Sequence, residues 1–199
     1  MDLFALLAPN RRRAWLVVAV FVVLGLPLHY AIKTAGDRGL LMLGEGAPVL
    51  QGPTLAGDDC EFDSTREHGR LLVVFFADPT RAASDEQAEI FEVWREKFAP
   101  QGDRFVFVTV LTGGTVAQGE AFAQAHDLPL ADVVVDRGGY RKKPFHVRKT
   151  PTLYVIDPTG RICFAAEGVL KKRDRKFNKV LTEYSPRVRM KPRKSCRRP

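Results

Sequence analysis

Thiol and imidazole groups, which carry much of the nucleophilic, redox and metal chemistry of proteins, are few and widely spaced in this sequence. The 199 residues include three cysteines and four histidines, namely Cys60, Cys163, Cys196, His29, His68, His126 and His146. No two cysteines have the C-x-x-C spacing of redox and zinc sites, and no two histidines have the i, i+4 spacing of a metal-binding helix. We therefore expect no metal site, no catalytic residue and no small-molecule cofactor.

The segment Leu71–Phe91 predicts a buried strand, a tight turn and the first part of an amphipathic helix. Its apolar run from Leu71 to Ala77 is typical of a central strand that is covered on both faces. Ser84 and Gln87 have the spacing of a capping box at the start of the helix, although Thr80 could cap an earlier start. The apolar side of this helix comprises Ile90, Phe91, Trp94 and Phe98.

The rest of the chain alternates between apolar strands and amphipathic helices. The predicted elements are strands at Arg104–Leu111 and Asp132–Asp136, helices at Ala117–Asp127 and Tyr140–Val147, a glycine turn at Gly113–Gly114 and a hairpin turn at Asp157–Gly160. Phe122 and Ala125 should face inward from the first of these helices. A closing helix has the apolar stripe Leu170, Phe177, Val180, Leu181 and Tyr184. This order of elements predicts an α/β domain with one central sheet.

Two widely separated motifs combine glycine, proline and short apolar pieces. They are Gly44–Gly57, GEGAPVLQGPTLAG, and Val147–Gly160, VRKTPTLYVIDPTG. Both resemble motifs of membrane-anchored thioredoxin-like proteins and of peroxiredoxin relatives. The resemblance covers Leu43–Tyr184 and is nearest to the cytochrome-maturation thioredoxins and the methylamine-dehydrogenase accessory type, both extracytoplasmic. It implies an α/β fold with a thioredoxin-like central mixed sheet flanked by helices. It also implies that Pro151 is a cis-proline facing the turn after the first buried strand.

The turn between that strand and the following helix departs from the pattern of redox-active thioredoxins. In those proteins two cysteines lie at the start of the helix, where the helix dipole stabilises the thiolate. The matching positions here are Thr80 and Ala83, neither of which can cycle between thiol and disulfide. Peroxiredoxins place their reactive cysteine three residues after a threonine, and Ala83 stands at that position too. Val74 occupies the place of the buried acid that assists many thioredoxins.

The resemblance also implies a surface that can bind protein without redox chemistry. In active relatives the turn, the cis-proline loop and the surface beside them hold an extended polypeptide by backbone contacts. The corresponding residues here are Asp78, Pro79, Thr80, Arg81, Thr150 and Pro151. The simpler interpretation is that Thr80 only caps the helix and that Arg81 is a solvated charge.

A second hypothesis is an extracytoplasmic thiol-disulfide oxidoreductase, or a peroxiredoxin-like enzyme, that uses non-standard cysteines. Cys60 and Cys163 fall in predicted strands, and an oxidising compartment favours a disulfide if the fold brings them together. Neither cysteine begins a helix, so neither thiolate gains the usual stabilisation. Packing is the simpler role for Cys60.

The N-terminal part of the chain predicts a single transmembrane helix. Residues 14–32 are 19 residues without a charged group, which as a helix reach about the thickness of a hydrocarbon core. Three arginines at positions 11–13 precede the span, so the positive-inside rule places residues 1–13 in the cytoplasm and the domain in the periplasm or an equivalent compartment. Residues 33–43 are then a linker and residues 44–184 the domain. A cleaved signal peptide is the alternative.

Positive charge is concentrated at the C-terminal end. The net charge is +8, yet the residues from 169 onward hold 13 Lys and Arg against two acids, which leaves the rest of the chain slightly acidic. We expect the tail at 185–199 to be unstructured when free and to meet anionic lipid or an acidic protein surface, and an inert tail is the alternative. No nucleic acid is expected outside the cytoplasm. The basic residues of the tail are Arg187, Arg189, Lys191, Arg193, Lys194, Arg197 and Arg198.

Together these features predict a single-pass, membrane-anchored, redox-inactive thioredoxin-like protein. We expect it to act through protein contacts outside the cytoplasm, as an accessory or stabilising subunit of a membrane protein complex. Its expected partners are membrane lipid, through the anchor, and another protein of that complex.

Overall fold

The computed structural model of this protein describes residues 39–63, 69–139 and 141–184. The predicted membrane span at residues 14–32 and the basic tail at residues 185–199 lie outside these ranges. No helix in the described part of the chain has the length and apolar character needed to cross a bilayer. The strands and helices are β1 (Leu50–Pro53), β2 (Asp59–Phe62), β3 (Leu71–Ala77), α1 (Ala82–Phe98), β4 (Phe105–Leu111), α2 (Val116–Ala125), β5 (Val133–Val135), β6 (Thr152–Ile156), β7 (Ile162–Glu167) and α3 (Arg175–Tyr184).

Five strands form one mixed sheet in the order β5-β4-β3-β6-β7. β3 pairs in parallel with β4, and β4 with β5, whereas the β3–β6 and β6–β7 pairs are antiparallel. β1 and β2 form a separate antiparallel hairpin. The predicted central mixed sheet is confirmed. The predicted hairpin turn is also present, because the N–H of Gly160 donates to the carbonyl oxygen of Asp157 at 2.9 Å between β6 and β7.

Every residue of β3 is buried because apolar layers cover both faces of the sheet. Alternate side chains beginning with Leu71 enter a cluster that includes residues of α1, α2 and α3, which we name the helical cluster. The other side chains, beginning with Leu72, enter a cluster with the β1–β2 hairpin and Phe145, which we name the hairpin cluster. In the helical cluster the ring centroids of Trp94 and Phe177 lie 4.0 Å apart. This contact joins α1 to α3 on the face of the sheet that the helical cluster covers.

The predicted helix at Tyr140–Val147 is wrong. The described residues of that segment form successive turns. The buried carboxylate of Asp136 accepts hydrogen bonds from the backbone N–H groups of Arg141 and Lys142, each at 2.9 Å, and so sets the path of the chain. Pro144 in addition lacks the N–H group that a helix would use.

Helix α2 begins and packs differently from the prediction. Phe122 is buried as expected, but Ala125 is exposed and Ala123 takes the inward position. A capping box that the sequence reading did not identify starts the helix. The hydroxyl of Thr115 accepts from the N–H of Gln118 at 3.2 Å, and the side chain of Gln118 accepts from the N–H of Thr115 at 2.8 Å. This box fixes the end of the loop that follows β4.

Candidate functional site

The residues predicted as a binding surface lie where the inner strands β3 and β6 leave one end of the sheet. β3 ends at Ala77 and β6 begins at Thr152, and Phe76 pairs with Thr152 in the antiparallel register. Residues 78–81 therefore leave the sheet beside residues 150–151. We name these two segments the turn edge. It comprises Asp78, Pro79, Thr80, Arg81, Thr150 and Pro151.

Asp78 organises the first segment of the turn edge. Its Oδ1 atom accepts hydrogen bonds from the N–H of Thr80 at 3.0 Å and from the hydroxyl of Thr80 at 2.6 Å. Its Oδ2 atom lies 3.4 Å from Nε of Arg81, whose backbone N–H donates to the carbonyl oxygen of Asp78 at 3.0 Å. These contacts close a turn directly before α1. The hydroxyl of Thr80 is therefore engaged by Asp78 and does not cap the helix, while Thr80 and Arg81 remain exposed.

The predicted capping box of α1 is wrong, because its two residues have other partners. α1 begins at Ala82 without a side-chain capping bond. The hydroxyl of Ser84 accepts from the N–H of Asp78 at 3.0 Å, and the side-chain carbonyl of Gln87 accepts from the N–H of Leu170 at 2.6 Å. Both side chains are buried. They tie the first two turns of α1 to the turn edge and to the segment before α3.

The turn after β4 packs directly on the turn edge, a contact that the sequence did not indicate. Gly113 and Gly114 have φ values of +119° and +68°. A Cβ atom on Gly114 would lie 2.8 Å from Cγ of Pro79, and one on Gly113 would lie 3.2 Å from the carboxylate of Asp78. Glycine permits both the backbone conformation and the close approach. The glycine pair directly after an apolar strand predicted this turn. It did not predict that the turn packs against Pro79 and Asp78.

Pro151 follows Thr150 through a cis peptide bond, as the resemblance implied. The carbonyl oxygen of Pro151 accepts from the N–H of Gly168 at 2.8 Å, and the hydroxyl of Thr152 donates to the carbonyl oxygen of Lys149 at 2.7 Å. Among the described residues, neither backbone polar group of Thr150 has a hydrogen-bond partner.

The positions matched to redox cysteines carry no reactive group. Thr80 and Ala83 are exposed on either side of the first residue of α1. Val74, matched to the buried acid of thioredoxins, is fully buried in the hairpin cluster. A carboxylate does stand in the first turn of α1, where Asp85 Oδ1 lies 3.3 Å from Nε2 of His126. That carboxylate suits the helix dipole and would disfavour a thiolate at the same place.

Cys60 and Cys163 are thiols on opposite faces of the sheet. Cys60 is buried in the hairpin cluster, whereas Cys163 packs against the helical cluster. The thiol of Cys163 donates to the carbonyl oxygen of Val155 at 3.3 Å. Burial, with a smaller contribution from the charge of Asp157, raises the pKa of Cys163 to about 12. The disulfide considered from the sequence is therefore not formed, and Cys163 stays protonated at neutral pH.

Metal-binding side chains are not grouped in threes anywhere in the described ranges. The buried carboxylate of Asp136 has protein partners, because it accepts the two backbone N–H groups given above and lies 3.7 Å from the guanidinium of Arg141. Nε of Arg141 also donates to the carbonyl oxygen of Gln51 at 2.8 Å. Asp136 and Arg141 thus connect the end of β5 to β1, which is a structural role.

Comparisons with known proteins agree on the fold. Neither known protein families nor curated proteins give a match. A thiol:disulfide interchange protein of the thioredoxin family from Chlorobium tepidum covers 73% of this chain and 99% of its own, at 16% identity and a TM-score of 0.60. A secreted disulfide oxidoreductase from Mycobacterium tuberculosis covers 68% and 93%, at 16% identity and a TM-score of 0.54. StoA from Bacillus subtilis covers 69% and 96%, at 19% identity and a TM-score of 0.53. The fold of this protein is therefore thioredoxin-like.

Proposed function

We propose that this thioredoxin-like protein is a redox-inactive module that binds an extended segment of another protein at its turn edge. One combination of features carries the proposal. Thr80 and Ala83 cannot exchange electrons, while the backbone N–H and C=O of Thr150 have no hydrogen-bond partner among the described residues. A partner would therefore bind through the shape of the turn edge and through its backbone N–H and C=O groups.

Binding at the turn edge would depend first on backbone contacts. An extended chain beside Thr150 can accept from its N–H and donate to its C=O, as strands do when they add to the edge of a sheet. The turn at Asp78 is already held by its own hydrogen bonds, so binding would require little further ordering. The exposed side chain of Arg81 favours a partner segment with acidic or polar residues next to the paired stretch.

We further propose that residues 14–32 fix the module to a membrane and that the domain lies in the periplasm or an equivalent compartment. The three arginines before the span support a cytoplasmic N-terminus. One matched structure is that of a secreted protein, which agrees with a domain outside the cytoplasm. In that setting the protein is an accessory or stabilising subunit of a membrane complex. The tail at 185–199 contacts an acidic protein surface or anionic lipid there.

A thiol-disulfide oxidoreductase is the second candidate function. It is favoured by the names of the matched solved structures. The arrangement of thiols weighs against it, because Cys60 and Cys163 lie in strands on opposite faces of the sheet. The raised pKa of Cys163 also keeps that thiol in its less nucleophilic form. We therefore rank this function below protein binding.

Photo-crosslinking of the full chain in its native membranes tests the binding proposal. A benzophenone amino acid at Thr80 or at Thr150 should capture a defined partner protein. Thr159 is the matched control, since it is an exposed threonine in a second Asp-Pro-Thr turn at the opposite end of β6. Equal capture from Thr159 would contradict a binding role for the turn edge.

Turnover assays separate the module from the enzyme. We expect the purified full chain in neutral detergent to reduce disulfide substrates and hydrogen peroxide no faster than the reductant alone. If the parent chain does turn over these substrates and Cys60→Ser abolishes the activity, the proposal is overturned in favour of a thiol enzyme.

A further inference from the structure

A groove lined by positive charge lies between the end of α1 and helix α3, separate from the turn edge. Its volume is about 560 Å³. Lys97 comes from the last turn of α1, and the other bases come from α3 and the residues before it. We name this surface the basic groove, and its basic residues are Lys97, Lys172, Arg173, Arg175 and Lys179. The sequence places Lys97 far from the other four, so only folding assembles the group.

Two exposed bases of the groove, Lys97 and Lys179, have weak or neutral partners. Nζ of Lys97 donates to the side-chain oxygen of Asn178 at 2.8 Å, a hydrogen bond that does not neutralise the charge. Nζ of Lys179 lies 3.6 Å from Glu183 one turn later, with the two side chains 73% and 59% exposed. Ion pairs at such exposure contribute little. Among the described residues Lys97 thus has no ion pair, and Lys179 has only this exposed one.

The other three bases crowd the N-terminus of α3, where the helix dipole disfavours positive charge. Lys172 and Arg173 precede the helix, Arg175 is its first residue, and its first turn holds no acid. Asp174 stands among them, but its carboxylate accepts the N–H of Phe177 at 2.8 Å and thereby caps the helix. Within the part of the chain that the structure describes, none of these three bases forms an ion pair. Positive charge at the N-terminus of a helix is unfavourable, and no contact among the described residues compensates for it. This placement points to an external anion.

We infer that the basic groove binds an acidic segment of a partner protein, as an interaction surface distinct from the turn edge. A chain that enters the groove can bring carboxylates to bases from α1 and α3 at the same time. A layer of lipid headgroups would also meet the exposed carboxylate of Glu183. A single flexible chain can place its carboxylates at the separate bases and avoid Glu183, which favours a polypeptide over a membrane surface, and the concentrated charge would speed its association. This inference does not depend on binding at the turn edge.

Fluorescence anisotropy with a labelled decaglutamate peptide tests the inference on the full chain in neutral detergent micelles. The groove variant carries Lys172→Glu, Arg173→Glu and Arg175→Glu. We expect it to weaken binding of the peptide by about tenfold or more at low ionic strength, where exposed charges are least screened. Glutamate near the start of a helix is favoured by the dipole, so the variant should fold, and urea unfolding checks that it does.

The matched control carries Arg137→Glu, Lys143→Glu and Arg148→Glu, at exposed positions outside the basic groove, and changes the same residue types and the same net charge. This control should weaken binding by less than about threefold, because screening limits long-range charge effects. Equal loss in the two variants would overturn the inference, since net charge alone would then explain binding. Displacement of the peptide by short-chain phosphatidylglycerol, but not by short-chain phosphatidylcholine, would also overturn it by assigning the groove to lipid headgroups.

If the groove variant does not fold, the glutamine variant Lys172→Gln, Arg173→Gln and Arg175→Gln replaces it. That variant removes the three charges without reversing them. A tenfold-order loss of peptide affinity still supports the inference, and unchanged affinity overturns it.

Discussion

The carboxylate of Asp78 accepts two hydrogen bonds from Thr80, one from the backbone N–H at 3.0 Å and one from the hydroxyl at 2.6 Å. Asp157 and Thr159 make the same two contacts, at 2.8 and 2.6 Å, in the hairpin between β6 and β7. Both turns have the sequence Asp-Pro-Thr, so local preferences account for the shared geometry. Their positions differ, because one turn lies at the turn edge and the other at the far end of β6.

Asp78→Ala should lower the free energy of unfolding by about 1–2 kcal/mol, because both hydrogen bonds from Thr80 lose their acceptor. It should also reduce the capture of a partner from a crosslinker at Thr150, since the neighbouring turn is no longer held. Urea unfolding followed by circular dichroism measures the first effect, and crosslinking yield measures the second.

Asp157→Ala is the control for that variant. Asp157 also accepts the N–H of Arg161 at 3.0 Å, so its loss should destabilise the protein by about 1–3 kcal/mol. Capture at the turn edge should stay unchanged. An equal fall in capture for both variants would mean that overall stability, and not the edge, controls binding.

The double variant Thr80→Cys, Ala83→Cys restores the C-x-x-C spacing at the start of α1. We expect an intramolecular disulfide to form, because the strand, turn and helix around these positions follow the thioredoxin-like path. Alkylation and mass spectrometry with and without reductant should show two more protected sulfurs than in the parent chain. Reductase turnover should stay weak, since Asp85 in the first turn opposes a thiolate.

The variant Thr80→Ser, Ala83→Ser is the control for the new cysteines, because it alters the same positions without sulfur. It should give the same alkylation pattern as the parent chain. Failure of the cysteine pair to close would contradict the match between these positions and the redox cysteines of other thioredoxin-like proteins.

Phe177→Ala should lower the free energy of unfolding by about 3–5 kcal/mol, because it leaves a cavity in the helical cluster. Phe177 is fully buried, and its ring centroid lies 4.0 Å from that of Trp94 and 5.4 Å from that of Phe164. Lys176→Ala, at the exposed neighbouring position, should change stability by less than about 0.5 kcal/mol. A loss below about 1 kcal/mol for Phe177→Ala would show that α3 contributes little to the core.

The raised pKa of Cys163 should make stability fall in alkaline solution. The thiol has an ordinary pKa of 9.0 and a pKa of about 12 in the folded protein, so the folded state holds the proton more tightly. The stabilisation is complete below pH 9 and is lost as the pH rises toward 12, because the unfolded chain ionises first. Urea unfolding between pH 8 and 11 should show this loss, and Cys163→Ala should reduce its slope.

Part of that slope should remain in Cys163→Ala, because burial also raises the pKa of Tyr154 from 10.0 to about 12. The hydroxyl of Tyr154 donates to the carbonyl oxygen of Phe145 at 2.6 Å, so its ionisation removes a buried donor. An identical slope in the parent chain and in Cys163→Ala would contradict the burial of the thiol.

Structural features that depend on a few neighbouring residues were predictable from the sequence. The apolar run of β3 requires burial on both faces, and the glycine pair after β4 requires a turn. The capping box proposed for α1 failed for the opposite reason. Ser84 accepts from Asp78, and Gln87 accepts from Leu170, more than 80 positions further along the chain. The spacing of Ser84 and Gln87 within the helix carries no information about either partner, because both partners lie outside the helix.

The strands of the central sheet and the helices α1, α2 and α3 were predictable in their order from the sequence, whereas the helix expected at Tyr140–Val147 was not found. The sequence also places a hydroxyl and a methyl group at positions 80 and 83, so paired-thiol chemistry is excluded at that turn. Which distant groups share a surface depends on the packing of the folded chain. That packing set Gly114 against Pro79, put Cys60 and Cys163 on opposite faces, and added Lys97 to the bases around α3. The physical reason is that backbone preference acts over a few residues, whereas these contacts arise when the whole core packs around β3.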